Sequence, residues 1–128
     1  MVDPALEVTL IDSVRKKVDF ERHIIRSLYL NGIEAIHGRV QEKEMLEKMG
    51  GRFDRVISRA FADLQIFLRV SHPFLKKGGV ALAMKGDLKE EEMRILSEEE
   101  TGYRLQETVI FDLPFTSLRR SILLFERQ

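Results

Sequence analysis

The sequence contains no cysteine, which excludes disulfide bridges and thiolate metal sites and suits a reducing compartment. It has no apolar run approaching the roughly 20 residues that a membrane helix needs, and Met1 to Leu10 lacks the pattern of a signal peptide. It has no net charge: 21 basic and 21 acidic residues cancel, so any anionic partner must be held by a local patch. Repeats and low-complexity linkers are missing. No Walker sequence or Ser-His-Asp arrangement appears. His23, His37 and His72 are too dispersed for a metal site, so no metal is expected. What remains is a chain of 128 residues, 44% apolar and 33% charged. Those values suit one soluble domain that buries roughly two-thirds of its unfolded surface. The expectation is a single domain over residues 1–128, cytoplasmic and without a membrane partner.

Strand and helix signals alternate, which predicts an α/β fold with a mostly parallel sheet covered on both faces. Strand-like runs fall at Val8–Ile11, Ile33–His37, Asp54–Ser58 and Val80–Met84. Ser13 is placed to cap a helix reaching about Leu30, with Asn31-Gly32 as its left-handed stop. Gln41–Met49 reads as a short helix closed by Gly50-Gly51. Asp63–Leu75 reads as another, disturbed by Pro73 and closed by Lys76-Lys77-Gly78-Gly79. Leu88–Glu100 reads as an acidic outer helix. Tyr103–Leu113 and Ser121–Arg127 are strand-like, with only Pro114–Arg120 between them. That spacing has no room for a crossover helix, so an antiparallel hairpin is expected.

The first of these strands ends in Asp12 and is followed at once by a helix. In nucleotide-binding α/β sheets this is the second strand, whose terminal acid hydrogen-bonds the ribose of a cofactor. A strand with a glycine-rich turn should precede it, yet only Met1 to Leu6 lie upstream. The expected fold is therefore Rossmann-like, lacking its N-terminal segment and first strand and ending in an antiparallel hairpin. Such a hairpin is typical of S-adenosylmethionine-dependent methyltransferases. A doubly wound nicotinamide enzyme would also use Asp12, but it would more often continue with parallel strands.

Five segments carry a more specific resemblance: Val8-Thr9-Leu10-Ile11-Asp12-Ser13; His37-Gly38-Arg39-Val40-Gln41-Glu42; Phe53-Asp54-Arg55-Val56-Ile57-Ser58-Arg59-Ala60; Ala83-Met84-Lys85-Gly86; and Leu113-Pro114 running into Leu118-Arg119-Arg120. In order and spacing they resemble the bacterial 16S ribosomal RNA guanine-N7 methyltransferases, also called glucose-inhibited division protein B. The likeness covers nearly the whole chain. It departs at Gln41, where the family usually has Glu, and in the lack of the N-terminal helical segment and glycine-rich first motif, which suggests an N-terminally truncated form.

The resemblance implies S-adenosylmethionine as cofactor and 16S ribosomal RNA as substrate. It implies a cofactor-binding set of Asp12, Ser13, Arg39, Val40, Gln41 and Arg59, with Asp12 at the ribose and Val40 and Gln41 beside the adenine. It marks Arg59 and Lys85 as catalytic, and Arg59, Lys85 and Arg119 as RNA-binding.

The residues support this unevenly. A plain helix N-terminal charge is the competing reading for Asp12, but its strand-end position favours ribose binding. For Val40 and Gln41, helix packing and adenine contact stand level. Arg59 follows a strand at the edge where ligands bind in such sheets; its planar fork suits guanine O6 or a phosphate. Lys85 and Arg119, taken singly, read more often as solvated charges; together with Arg59 they make three cations converging on one edge of a net-neutral protein, which favours an RNA contact that Arg39 would extend. The basic helix face of Arg15, Lys16, Lys17, Arg22 and Arg26 reads as an ordinary solvated surface at least as well as an RNA contact. No Asn/Asp-Pro-Pro-aromatic motif follows Ser58, which argues against methylation of an exocyclic amine. Guanine N7 carries an in-plane lone pair and needs no general base, so catalysis would rest on alignment.

The functional expectation is methyl transfer to guanine N7 of 16S ribosomal RNA, weak or absent in this chain. The alternative is an inactive domain serving as an RNA-binding or self-associating module. A strand missing from the sheet centre would expose unpaired edges; the remedies are direct pairing of the flanking strands or a second copy, and a homodimer is the favoured one.

Overall fold

The computed structural model describes residues 6–58, 63–86 and 101–128. The expected helix Leu88–Glu100, together with Arg59 and Ala60, lies outside the described residues. The chain divides into two compact units, Met1–Glu47 and Lys48–Gln128.

In the first unit, β1 (Val8–Asp12) and β2 (Ile33–His37) form a parallel pair in register from Val8↔Ile33 to Asp12↔His37. Parallel neighbours need a crossover, and α1 (Arg15–Ser27) supplies it. Val18 on α1 is fully buried, and Arg22 Nε donates to the Ala35 carbonyl of β2 at 3.1 Å. The helix starts differently from the expectation. Ser13 makes no cap; Val14 is the capping residue and provides no side-chain bond. The Asp12 carboxylate instead accepts from Val14 N–H at 2.8 Å, and a charged acceptor at a helix N-terminus is favoured by the helix dipole.

The helix also stops earlier, at Ser27. Tyr29 N–H bonds the Arg26 carbonyl and Leu30 N–H the Ile25 carbonyl, a Schellman closure. Its left-handed residue is Tyr29, at φ 52°, rather than a glycine. Gly32 serves the next step, where Val8 N–H bonds its carbonyl and an added Cβ would lie 2.9 Å from the Leu6 carbonyl oxygen. α2 (Lys43–Met49) leads out of this unit.

The second unit holds a four-stranded sheet in the order β3-β4-β6-β5. β3 (Phe53–Ser58) runs parallel to β4 (Leu75–Lys85), with α3 (Leu64–Ser71) and a 3-10 turn at His72–Phe74 between them. Asp63 caps α3 by accepting from Gln65 and Ile66 N–H. β5 (Tyr103–Asp112) and β6 (Arg119–Arg127) form the expected antiparallel hairpin, and β6 also pairs antiparallel with β4. The segment Lys76 to Gly79, read from sequence as a helix closure, lies within β4 instead. There it makes a four-residue outward detour, since Phe53↔Leu75 is followed by Arg55↔Val80. Gly78, at φ 82°, makes that detour feasible.

Leu64, Phe67 and Leu68 of α3 pack on alternate residues of the sheet: Val56, Ala81, Ala83, Leu123 and Phe125, with Tyr103 at the end. Period-two alternation in β6 buries Ser121, Leu123 and Phe125 on one face. Each large apolar side chain fully buried here contributes about 1.5–3 kcal/mol. At the edge where β6 ends, the Tyr103 hydroxyl bonds Ser71 Oγ at 2.8 Å, and the His72 ring meets Tyr103 edge-on. Burial first, and the Arg127 charge second, hold the His72 imidazole below its ordinary value, against a bond with the Gly102 backbone. Arg127 reaches the Leu75 carbonyl. Among the described residues no helix is long and apolar enough to cross a membrane.

Candidate functional site

The first unit gathers candidate residues where its two parallel strands end. Asp12 and His37 are register partners, and Gly38 N–H donates to the Asp12 carbonyl at 3.0 Å. His37 Nε2 lies 3.1 Å from the Ser13 carbonyl oxygen, tying the two strand exits a second time. Asp12, Ser13, Arg39, Val40 and Gln41 thus occupy one end of one sheet, the carboxyl end that binds ligands in parallel α/β folds.

Asp12 Oδ1 is held by Val14 N–H, and the residue is half-buried. After Gly38 the chain turns through Arg39, whose carbonyl accepts from Glu42 N–H at 3.1 Å. The Glu42 carbonyl then accepts from Met45 and Leu46, starting α2. Arg39 and Gln41 are exposed and Val40 half-buried. An added Cβ at Gly38 would lie 2.6 Å from Met45 Cε, the mobile end of a methionine.

The second unit gathers another group where β3 and β4 end and β6 begins. Ser58 pairs with Ala83, and Lys85 with Ser121. The Ser121 hydroxyl donates to the Gly86 carbonyl at 2.9 Å and lies 3.5 Å from that of Lys85. Arg59, which follows Ser58, is outside the described residues. Arg119 pairs across the hairpin with Asp112, Nε to Oδ1 3.4 Å, which partly neutralises it. Its neighbour Arg120 faces the β4 exit: its Nη1 donates to the Arg119 carbonyl at 3.2 Å. That nitrogen is also the nearest described atom, at 3.7 Å, to a Cβ built on Gly86.

Arg120 and Ser121 are therefore residues that sequence reasoning missed. In a run of two adjacent arginines nothing local says which one turns to the neighbouring strand. The buried alternation of β6 was the available signal for Ser121: it puts a small polar residue in a row of apolar ones.

An adenine nucleoside fits the first group on chemical grounds. A strand-end carboxylate held through one oxygen suits ribose hydroxyls, and an exposed turn with a half-buried valine suits a flat ring. The second group, with Lys85, Arg119 and Arg120, suits an anionic or guanine-bearing ligand.

Comparison with known proteins places the fold and the family. Solved structures with the same fold include M. jannaschii TYW2 in complex with AdoMet, at TM-score 0.68 and 19% identity, covering 95% of this chain and 58% of that one. Another is TrmN from Thermus thermophilus, at TM-score 0.73 and 17% identity, covering 98% and 38%. The fold is that of Rossmann-like S-adenosylmethionine-dependent methyltransferases.

In sequence the chain is 35% identical over 130 residues to the ribosomal RNA small subunit methyltransferase G of Geobacter metallireducens, covering 100% of this chain and 58% of the relative. The protein of the same name from Deinococcus radiodurans is 35% identical, with 98% and 50% covered. The chain thus spans about half the length of the curated relatives it matches. The profile of one family, GidB, described as rRNA small subunit methyltransferase G, matches residues 1–117. The chain belongs to that family.

Proposed function

We propose that this chain carries the ribose, adenine and RNA-facing parts of an S-adenosylmethionine-dependent enzyme that methylates guanine N7 of 16S ribosomal RNA in the bacterial cytoplasm. The observation that carries this reading is the Asp12 carboxylate, fixed through Oδ1 at the end of β1 and joined by the Asp12 carbonyl to Gly38, in a chain of this family.

When bound, the cofactor supplies an electrophilic methyl group on a sulfonium. Asp12 accepts hydrogen bonds from the ribose hydroxyls, with Ser13 beside it. The turn through Arg39, Val40 and Gln41 borders the adenine, its backbone groups reading the ring edge. Arg59 donates to guanine O6 and holds the base in the methyl-accepting orientation. Lys85, Arg119 and Arg120 neutralise phosphates flanking the target, the kind of contact that supplies most RNA affinity. No residue has to remove a proton before attack, because the N7 lone pair lies in the ring plane and is already available.

Because the chain spans about half the length of its curated relatives, the reading for these 128 residues taken alone is weak cofactor binding and slow transfer. The test is a single-turnover assay with excess chain, radiolabelled S-adenosylmethionine and deproteinised 16S ribosomal RNA. The reading expects slow label at a guanine that chemical scission identifies as N7-methylated. Label no greater than with Asp12→Ala, or label on another atom, refutes it.

The same reading includes a homodimer, on one specific observation. β1 and β2 make a sheet of their own, β3 ends the four-stranded sheet, and Leu10 and Ile57 on these strands are 37% and 58% exposed. Unpaired apolar strand edges recruit other chains. Sedimentation equilibrium should show a dimer, and a clean monomer removes this part.

A further inference from the structure

We propose that Ser121 is a positioning residue: its hydroxyl holds the Lys85–Gly86 turn so that Lys85 engages RNA in a fixed geometry. This rests on the reading that the β4 exit faces RNA.

Ser121 is 2% exposed and shares its face of β6 with Leu123 and Phe125. An alanine would satisfy the packing there, and a buried hydroxyl is costly unless it is bonded. This one is bonded, to the Gly86 carbonyl at 2.9 Å, with the Lys85 carbonyl at 3.5 Å. The position matters because the β4–β6 ladder ends at Lys85↔Ser121. Gly86 is the first residue past the ladder, so among the described residues its carbonyl has no strand partner to fix it. The serine hydroxyl does what the next ladder rung would have done, and it extends the rigid sheet by one residue beneath Lys85.

Arg120 meets the same corner. The φ of Gly86 is not left-handed, and among the described residues the nearest atom to a Cβ built there is Arg120 Nη1, at an ordinary contact distance of 3.7 Å. That nitrogen donates to the Arg119 carbonyl, so the bonded Gly86 carbonyl and a guanidinium sit together at the exit of β4.

The test is a double-mutant cycle in the full 128-residue chain, read by binding of a 16S-derived RNA hairpin. Circular dichroism melts confirm that each variant is folded. Ser121→Ala should weaken binding about threefold to tenfold, the size of one lost hydrogen bond. In a Lys85→Ala background it should change nothing further, because the hydroxyl acts through that lysine. Ser121→Thr, which keeps the hydroxyl, should bind like the wild type.

Binding by Ser121→Ala equal to wild type overturns the proposal, as do effects that multiply in the double variant or a failure of threonine to rescue. A wild-type chain that binds no better than Lys85→Ala/Arg120→Ala overturns the RNA reading and this role with it. Dependence on Lys85 without dependence on Ser121 removes only the positioning role.

Discussion

Asp12 has two tasks in this account, and two substitutions separate them. Its Oδ1 accepts Val14 N–H at 2.8 Å where α1 starts, and its charge sits at the positive end of the helix dipole. Asp12→Ala deletes the acceptor, about 0.5–1 kcal/mol for so exposed a capping bond, and the charge, about 0.3–1 kcal/mol. Asp12→Asn keeps an oxygen for Val14 and loses only the charge part. On the ligand side the order changes. A carboxylate-to-hydroxyl bond is worth about 1.5–3 kcal/mol, roughly a tenfold to 150-fold change in affinity. The asparagine places an NH₂ donor where the second carboxylate oxygen had been, so it should lose nearly as much binding as alanine. Urea denaturation followed by circular dichroism gives the stabilities, and titration with S-adenosylhomocysteine gives the affinities. The reasoning predicts near-wild-type stability but impaired binding for Asp12→Asn, and loss of both for Asp12→Ala. Equal destabilisation by both variants, with binding unchanged, would refute it.

Three further outcomes follow from the second unit. Ser71→Ala should destabilise more than Tyr103→Phe: alanine strands a buried phenol donor, about 1–3 kcal/mol, whereas after Tyr103→Phe the Ser71 hydroxyl keeps the Leu68 carbonyl at 3.2 Å; chemical denaturation decides the order. Because the His72 pKa is lowered in the folded chain from an ordinary 6.5, the unfolded chain takes up this proton first, so its stabilising share is complete above that pH and declines as pH falls below it. His72→Gln should remove that component from the pH–stability curve, and an unchanged curve would count against it. Lys85→Ala and Arg120→Ala should each lower the salt slope of RNA binding by roughly one unit or slightly less. Lys43→Ala, whose side chain pairs with Glu47 on α2, should leave the slope alone; a slope that falls equally for this control refutes the assigned patch.

The strands were legible because their signals are local. Alternation and β-branched runs marked Ile33–His37 to the residue and the terminal hairpin to within two residues. The seven residues of Pro114–Arg120 were enough to rule out a crossover. The helix ends were harder, because side-chain competition settles them. Asp12 outcompetes Ser13 for the start of α1, and the Schellman closure recruits Tyr29 into a left-handed conformation that its residue type does not advertise. The Lys76 to Gly79 stretch carries the composition of a loop, yet the residues flanking it, Leu75 and Val80, pair with β3, and only long-range register makes it part of a strand. In the candidate site, strand-end placement pointed to Asp12, whereas Val40 and Gln41 were named only through the family resemblance. Which of Arg119 and Arg120 faces Gly86 depends on the cross-strand partner Asp112, a tertiary fact.

The account's central claim is that this chain presents the ribose and adenine part of a methyl-donor site at the carboxyl ends of β1 and β2. Titrating the ¹⁵N-labelled chain with S-adenosylmethionine, followed amide by amide, tests it most directly. The account predicts fast-exchange shifts at Asp12 to Val14 and at Gly38 to Glu42, with a dissociation constant well above micromolar for these 128 residues alone. Micromolar binding, shifts centred on other residues, or no response at these amides at the highest soluble ligand concentration would contradict it.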